Sequence, residues 1–297
     1  MASEHPRILV TGATGQTGGA VVARLSALRI PVRALVRSAA KATALSALPH
    51  VEVVSGDLAQ PDTLEPALAG IDRAFLVSTS DPHMLDVQVS FVDAARAARV
   101  RHVVKLSGII ADLDSPFRFA RMHRGAELAV ERSGMAWTHL RAGEFMPAYF
   151  RQIPNIVGRS ALMLPMADAR IASIDVGDVA DVAVRMLTTD GHAGNAYSLT
   201  GSTAHDMTEI AQLLTAAVGK PIRYVDVPPE QARAAQLAAG MPAFNADALF
   251  ELFAERRAGK ESAVYPTVEQ LLGRAPTSFA AFAARNASVF KGEAPPK

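Results

Sequence analysis

The chain contains no cysteine, which excludes disulfides, thiolate metal sites and a cysteine nucleophile together. It also lacks a surplus of either charge: Lys and Arg total 30, Asp and Glu total 29, and the formal net charge is +1. Affinity for nucleic acid rests on surplus cationic contacts with phosphates, so this balance argues against a nucleic-acid partner. No apolar run approaches the roughly 18 residues of a membrane span, so no membrane partner is expected. Residues 1–7 lead into Gly12, Thr14, Gly15, Gln16 and Thr17, not into a signal-type apolar stretch. A cytoplasmic protein is the expectation. The eight histidines form neither H-x-x-x-H nor H-E-x-x-H, so no metal site is indicated. There is no G-x-x-x-x-G-K-[ST] loop, and Ser107-Gly108 lacks the earlier glycine of a nucleophile elbow.

What is present is a regular alternation. The chain has 297 residues, 49% hydrophobic and 20% charged, long enough for one large or two unequal domains. Short β-branched runs at 8–11, 32–36, 51–54, 74–77, 102–106 and 138–140 alternate with Ala-rich segments of helical spacing at 21–28, 39–48, 62–68, 85–98 and 119–132. Apolar runs that do not alternate suit strands covered on both faces. Strand–helix alternation then predicts a doubly wound α/β layer with a parallel sheet. After Arg141 the rhythm changes. Residues 142–170 read as loops with short elements, 171–174, 179–187 and 196–199 as strand, helix and strand, and the remainder as mostly helical, with helices at 208–218, 229–239 and 247–254 and a short strand at 222–227 between the first two.

The strongest local signal is Thr11-Gly12-Ala13-Thr14-Gly15-Gln16-Thr17-Gly18-Gly19, which follows the first strand and opens the first helix. Gly12 permits the tight turn, Gly15 lets backbone approach a diphosphate, and Gly18 lets helix pack on sheet. The helix N-terminus presents N–H groups and a partial positive charge to the anion. The second strand ends in Leu35-Val36-Arg37-Ser38, with Lys41 one turn on. An NAD site places an acid there; a guanidinium instead suits a 2′-phosphate, so NADP(H) is predicted over NAD(H). Gly56-Asp57-Leu58 and Ser78-Thr79-Ser80 follow the third and fourth strands. Ligands bind at the carboxyl ends of parallel strands. Asp57 could therefore accept from the adenine amino group and Ser78 and Thr79 could lie along the ribose and diphosphate, or each could serve a turn.

With these residues the chain resembles the atypical short-chain dehydrogenases of the NmrA-like group. The resemblance is carried by the 11–18 loop, Val36-Arg37, Gly56-Asp57, Val104-Lys105-Leu106-Ser107, His123-Arg124-Gly125-Ala126-Glu127, Leu140-Arg141-Ala142-Gly143 and Asp175-Val176-Gly177-Asp178-Val179-Ala180. It runs from about residue 7 to about residue 278 and is strongest toward the bacterial NADPH-dependent quinone and triarylmethane-dye reductases. It implies a Rossmann domain over 1–150, with 171–200 returning to it, and a smaller, mostly helical substrate lobe from 151–170 and 201–297.

Most short-chain dehydrogenases carry Tyr-x-x-x-Lys. Here the residues four after Tyr149, Tyr197, Tyr224 and Tyr265 are Ile153, Gly201, Pro228 and Glu269, so that dyad is absent. His123 and Glu127 stand where the resemblance would place it. Reduction of an ordinary ketone needs a positioned acid, whereas a quinone or cationic dye is already electron-poor and can rely largely on orientation. His123 is the candidate proton relay, or else a helix-face residue bonded to Glu127. Ser107 could meet substrate or ribose, or cap a turn. Lys105, on the same side of the strand as Ser107, could approach the site or stay solvated. The resemblance places contacts to the nicotinamide end at Ala142-Gly143-Glu144-Phe145. Phe145, Met146 and Tyr149 offer surface to a flat aromatic or quinonoid acceptor, or pack the lobe. Three functions follow: an NADPH-dependent reductase of electron-poor small molecules, a non-catalytic NADP-binding regulator, or an isoflavone-reductase-like enzyme in which Lys105 would be the base. Helix 85–98 could serve a homodimer; otherwise the chain is a monomer.

Overall fold

The run Ile-Leu-Val at the start of the chain becomes β1 (Ile8–Val10), buried on both faces because it pairs in parallel with a neighbour on either side. The computed structural model describes residues 6–38 and 42–295. From β1 the chain continues through α1 (Gln16–Ala27), β2 (Val32–Val36), α2 (Thr43–Ser46), β3 (Val51–Ser55), α3 (Leu64–Leu68), β4 (Arg73–Leu76) and α4 (Met84–Ala97). Next come β5 (His102–Gly108), α5 (Arg118–Arg132) and β6 (Ala136–Ala142). After a 3-10 segment at Met146–Gln152 follow α6 (Ile153–Arg159), β7 (Ala161–Leu164), α7 (Val176–Thr188), β8 (Asn195–Leu199), α8 (Met207–Val218), β9 (Arg223–Asp226), α9 (Pro229–Ala238) and α10 (Ala243–Arg257). The described chain closes with α11 (Thr267–Leu272), α12 (Phe279–Arg285) and α13 (Ala287–Phe290).

Seven strands form one sheet in the order β3-β2-β1-β4-β5-β6-β8, and β7 pairs with β9 in a second, two-stranded sheet. From β3 to β5 every pairing is parallel. The strand order reverses between β1 and β4, the topological switch point where doubly wound sheets bind ligands. Thr11, at the end of β1, ties that point together. Its hydroxyl donates to the Val77 carbonyl (2.7 Å) and accepts from the Val77 N–H (2.8 Å).

Two compact units emerge. The first comprises residues up to Leu113, Phe119–Arg141 and Val179–Tyr197; the second comprises Asp114–Arg118, Ala142–Asp178 and residues from Ser198 onward. The first unit's core is mainly aliphatic, with Leu9, Leu64, Leu68, Val103 and Val130 around Phe91. The second unit's core is aromatic, with Tyr149, Phe150, Phe253, Phe279, Phe282 and Phe290 together. The expected strand at 171–174 is not a ladder. Ile171 and Ile174 make single bridges, to His205 and Phe145. The three short helices α11 to α13 went unread in the sequence because their cue is scattered aromatics, not a long periodic stripe. Among the described residues no helix is long and apolar enough to cross a membrane.

Candidate cofactor and catalytic site

The first helix begins without the usual side-chain help. Gly15 is its N-cap, no side chain caps it, and its first turn holds no acidic residue. Thr14, Gly15 and Gln16 are exposed, while Thr17 and Gly18 are buried. Helix α8 carries a side-chain cap, whereas α4, α9 and α10, like α1, do not. In α8, Asp206 accepts from the Glu209 N–H (2.9 Å) and Glu209 accepts from the Asp206 N–H (3.1 Å), a complete capping box. The uncapped N–H groups of α1 suit an anion, for which its macrodipole is also favourable. The loop is close-packed backbone. Gly12 has φ +56°, and a Cβ on Gly18 would sit 2.3 Å from the Gly12 carbonyl oxygen, so a larger residue at 18 would force the loop apart.

Arg37 follows β2 directly, is exposed, and has no ion-pair partner among the described residues. Lys41, the second cation expected here, lies outside the described residues. Asp57 accepts from the Ala59 N–H (3.0 Å), and its own N–H donates to the Thr63 hydroxyl (2.9 Å). Its carboxylate thus already serves a turn. Leu58 packs against the first unit's core. Ser78 accepts from the Gln88 amide (2.9 Å), and the Thr79 hydroxyl donates to Asp81 (2.8 Å). Both hydroxyls organise the loop after β4 in this structure.

The β5 side of the sheet carries charge chemistry. Lys105 is completely buried, so the solvated reading does not hold. Its Nζ donates to the Leu106 carbonyl (3.1 Å) and lies 3.2 Å from Nδ1 of His123. Burial pushes Lys105 down to about 7, against the opposing pull of Glu127. Burial and then the Lys105 charge push His123 down to about 3, so its ring is neutral at neutral pH. When Lys105 is protonated, Nδ1 accepts from it and the ring's own proton sits on Nε2. The expected bond from His123 to Glu127 is not formed, because Glu127 is held by arginines. Arg141 grips it with two hydrogen bonds (2.9 and 2.6 Å) and Arg124 adds a third (3.0 Å). Burial opposes the charge on Glu127, but the Arg141 bonds, Ser107 and the neighbouring charges together outweigh it and bring the carboxyl to about 2. The hydroxyl of Ser107 is buried and lies close enough to Glu127 to favour its charge. It nevertheless meets no partner in hydrogen-bonding geometry. An orphaned buried hydroxyl costs about 1–3 kcal/mol unless a ligand or water completes it.

Farther along, Arg124 also grips Glu131 (2.6 Å), and His139 Nε2 lies 3.3 Å from Glu131. Ligand atoms of Glu127, Glu131 and His139 approach within 4.8 Å of one another, but the Arg124 guanidinium already bridges both carboxylates. These residues escaped the sequence reading as a group. His-x-x-x-Glu and Leu-Arg were visible there, but the pairing across β5, α5 and β6 has no local spacing to reveal it.

In the second unit, the Gly143 N–H donates to the Leu199 carbonyl (3.0 Å). Phe145 is half-buried and leads into the 3-10 segment. Met146 and Tyr149 are core residues, 1% and 5% exposed. Tyr149 lies edge-on to Phe279 and its hydroxyl is 3.4 Å from that of Ser173. Burial raises its pKa well above the ordinary phenol range. Neither side chain presents the open acceptor surface that the sequence suggested, because both are consumed in packing; Phe145 is less deeply buried than either. Glu144 instead joins a buried network in which Arg256 bonds both Glu144 and Glu261.

The sequence profile of the NmrA-like family matches residues 4–283. An NAD(P)H azoreductase from Xenophilus azovorans is 39% identical over 283 residues, covering 95% of this chain and 99% of the relative. Among solved structures, the NADPH-dependent quinone oxidoreductase QOR2 of Escherichia coli, complexed with NADPH, is 30% identical with a TM-score of 0.86, covering 94% of this chain and 99% of that one. The triphenylmethane reductase of Citrobacter sp. is 25% identical with a TM-score of 0.84, covering 95% and 99%.

Proposed function

This chain belongs to the NmrA-like family, and from that premise we propose that it is an NADPH-dependent reductase of electron-poor small molecules such as azo, quinonoid or triarylmethane compounds. The observation that carries the reading is the close-packed glycine turn that opens α1, where Gly12 has φ +56° and Gly18 leaves no room for a Cβ, set beside an exposed Arg37 with no ion-pair partner among the described residues. The residues present fit the dinucleotide. Gly12, Thr14, Gly15, Gln16, Thr17 and Gly18 offer backbone to the diphosphate, and Arg37 offers a fork to a 2′-phosphate. The orphaned hydroxyl of Ser107 is left for a ribose or substrate oxygen. When bound, the dinucleotide supplies a hydride.

In the first unit, Ser107 and His123 border the reacting region. The similarity to the azoreductase over 95% of the chain supports turnover, not mere sensing. The test pairs calorimetry with kinetics. NADPH is expected to bind in the micromolar range or tighter, and its oxidation is expected with at least one azo, quinone or triarylmethane acceptor. Tight NADPH binding without turnover on any of the three classes would overturn the reading.

A further inference from the structure

Two basic side chains share one hydrogen bond in the β5–α5 layer, and that arrangement calls for an explanation. Lys105 is fully enclosed while His123 is only half-buried, so any proton leaving Lys105 for a ligand must pass through the imidazole. A neutral imidazole by itself is a very weak acid. An ammonium hydrogen-bonded to its far nitrogen removes that weakness, because one proton can enter at Nδ1 as another leaves from Nε2. We propose that Lys105 and His123 form a single proton-donating unit for reduced acceptors, with Glu127, clamped by Arg141, as the positioning residue that keeps the charge on Lys105.

The inference rests on the reductase reading above. For an azo acceptor, hydride adds to one nitrogen, the N=N π bond breaks, and its electron pair takes the Nε2 proton of His123 at the other nitrogen. The Nδ1 of His123 takes a proton from the Lys105 ammonium in the same event. The products are a hydrazo compound and a neutral lysine, which water recharges through His123 by the reverse route. A cationic triarylmethane dye differs: hydride plus carbocation gives a neutral carbon, and no proton is consumed. The groups facing Lys105 are His123 and Glu127 from α5 and Arg141 from β6. Arg124, Glu131 and His139 form the next layer behind Glu127.

The experiment compares Lys105→Met with the wild type on methyl red and on crystal violet, each with NADPH. A positioned acid contributes roughly 10²–10⁴-fold. The methyl red rate is expected to fall by at least about 100-fold and the crystal violet rate by less than about tenfold. Lys105→Arg keeps a donor to Nδ1 but releases no proton, so it is expected to leave the methyl red rate low. Imidazole ¹⁵N NMR of the cofactor-free protein supplies an independent readout: His123 is expected as the Nε2–H tautomer in the wild type and as a mixture in Lys105→Met. Equal loss with both dyes, full methyl red activity in Lys105→Arg, or an Nδ1–H tautomer in the wild type would each overturn the proposal. Absence of wild-type turnover with methyl red would overturn the relay, and absence with methyl red, crystal violet and a quinone alike would overturn the reductase reading as well.

Discussion

The two ends of the first unit's sheet build their chemistry from different materials. At β1 and β2 the candidate site is backbone: the exposed start of α1, a glycine turn and the Arg37 guanidinium, which has no ion-pair partner among the described residues, with no carboxylate in the first turn of α1. At β5 and β6 it is side chain. A buried lysine bonds His123, and as a separate hydrogen-bonded group a buried carboxylate bonds two arginines. The first end is incomplete without an anion, whereas the second is mostly satisfied from within. The contrast teaches where each kind of damage should fall. Adding an atom should harm the backbone end, and removing a charge should harm the side-chain end.

The largest effect is expected at Gly18. Its missing Cβ would meet the Gly12 oxygen at 2.3 Å, the Gly12 carbonyl carbon at 2.7 Å and the Thr11 oxygen at 2.9 Å. All three are backbone atoms with no rotamer to change. Gly18→Ala should therefore displace the loop, weaken NADPH by more than about 100-fold in calorimetry and cost about 1–3 kcal/mol of stability in denaturant titration. Unaltered NADPH affinity in Gly18→Ala would show that the diphosphate does not depend on this backbone.

Glu127 gives the second effect, this time by subtraction. Its side chain is fully buried while Arg124 and Arg141 are about a quarter exposed, at 25% and 28%, so the arginines can recover water when the carboxylate is lost. Glu127→Gln should cost about 3 kcal/mol at neutral pH, the lower part of the range for breaking a buried pair. The carboxyl is held at about 2, below its ordinary value of 4.5. Its stabilisation is therefore complete above the ordinary carboxylate range and is lost as pH falls from about 4.5 toward 2. Wild type and variant should thus converge in acid. A gap that stayed constant down to pH 2 would mean that shape, not charge, makes Glu127 important.

The same contrast explains what could be read from the sequence. Strands β1, β2 and β9, helices α1, α4, α5, α7 and α8, and the glycine loop declared themselves through local spacing, because each is a rule about neighbours in the chain. Arg37 was legible for the same reason, as a residue at a fixed distance from a strand end. The Lys105–His123 bond joins residues 18 apart, and the Glu127–Arg141 pair joins residues 14 apart. Both depend on how α5 rotates over the sheet, which no local period encodes. The assignments of Met146 and Tyr149 show the opposite error. Local apolarity cannot distinguish a ring that faces a ligand from one that fills a core, and here the aromatic cluster of the second unit claims both.

The smallest of these effects, and the finest division of the comparison, concerns Arg37. It is the one element of the backbone end whose contribution is a side-chain charge, and it stands exposed. Replacing it with Glu sets a carboxylate against the 2′-phosphate and should weaken NADPH by about 10–100-fold, or about 1.4–2.8 kcal/mol, while NADH affinity changes little. An exposed charge is screened by salt, with a Debye length near 8 Å at physiological ionic strength, whereas a glycine turn is not. The wild-type preference for NADPH over NADH should therefore shrink as salt rises, and the residual affinity for NADH should hold. Equal losses of both coenzymes in Arg37→Glu would move this guanidinium from phosphate selection to holding the β2 loop in place. The backbone end would then owe its coenzyme choice to residues other than Arg37.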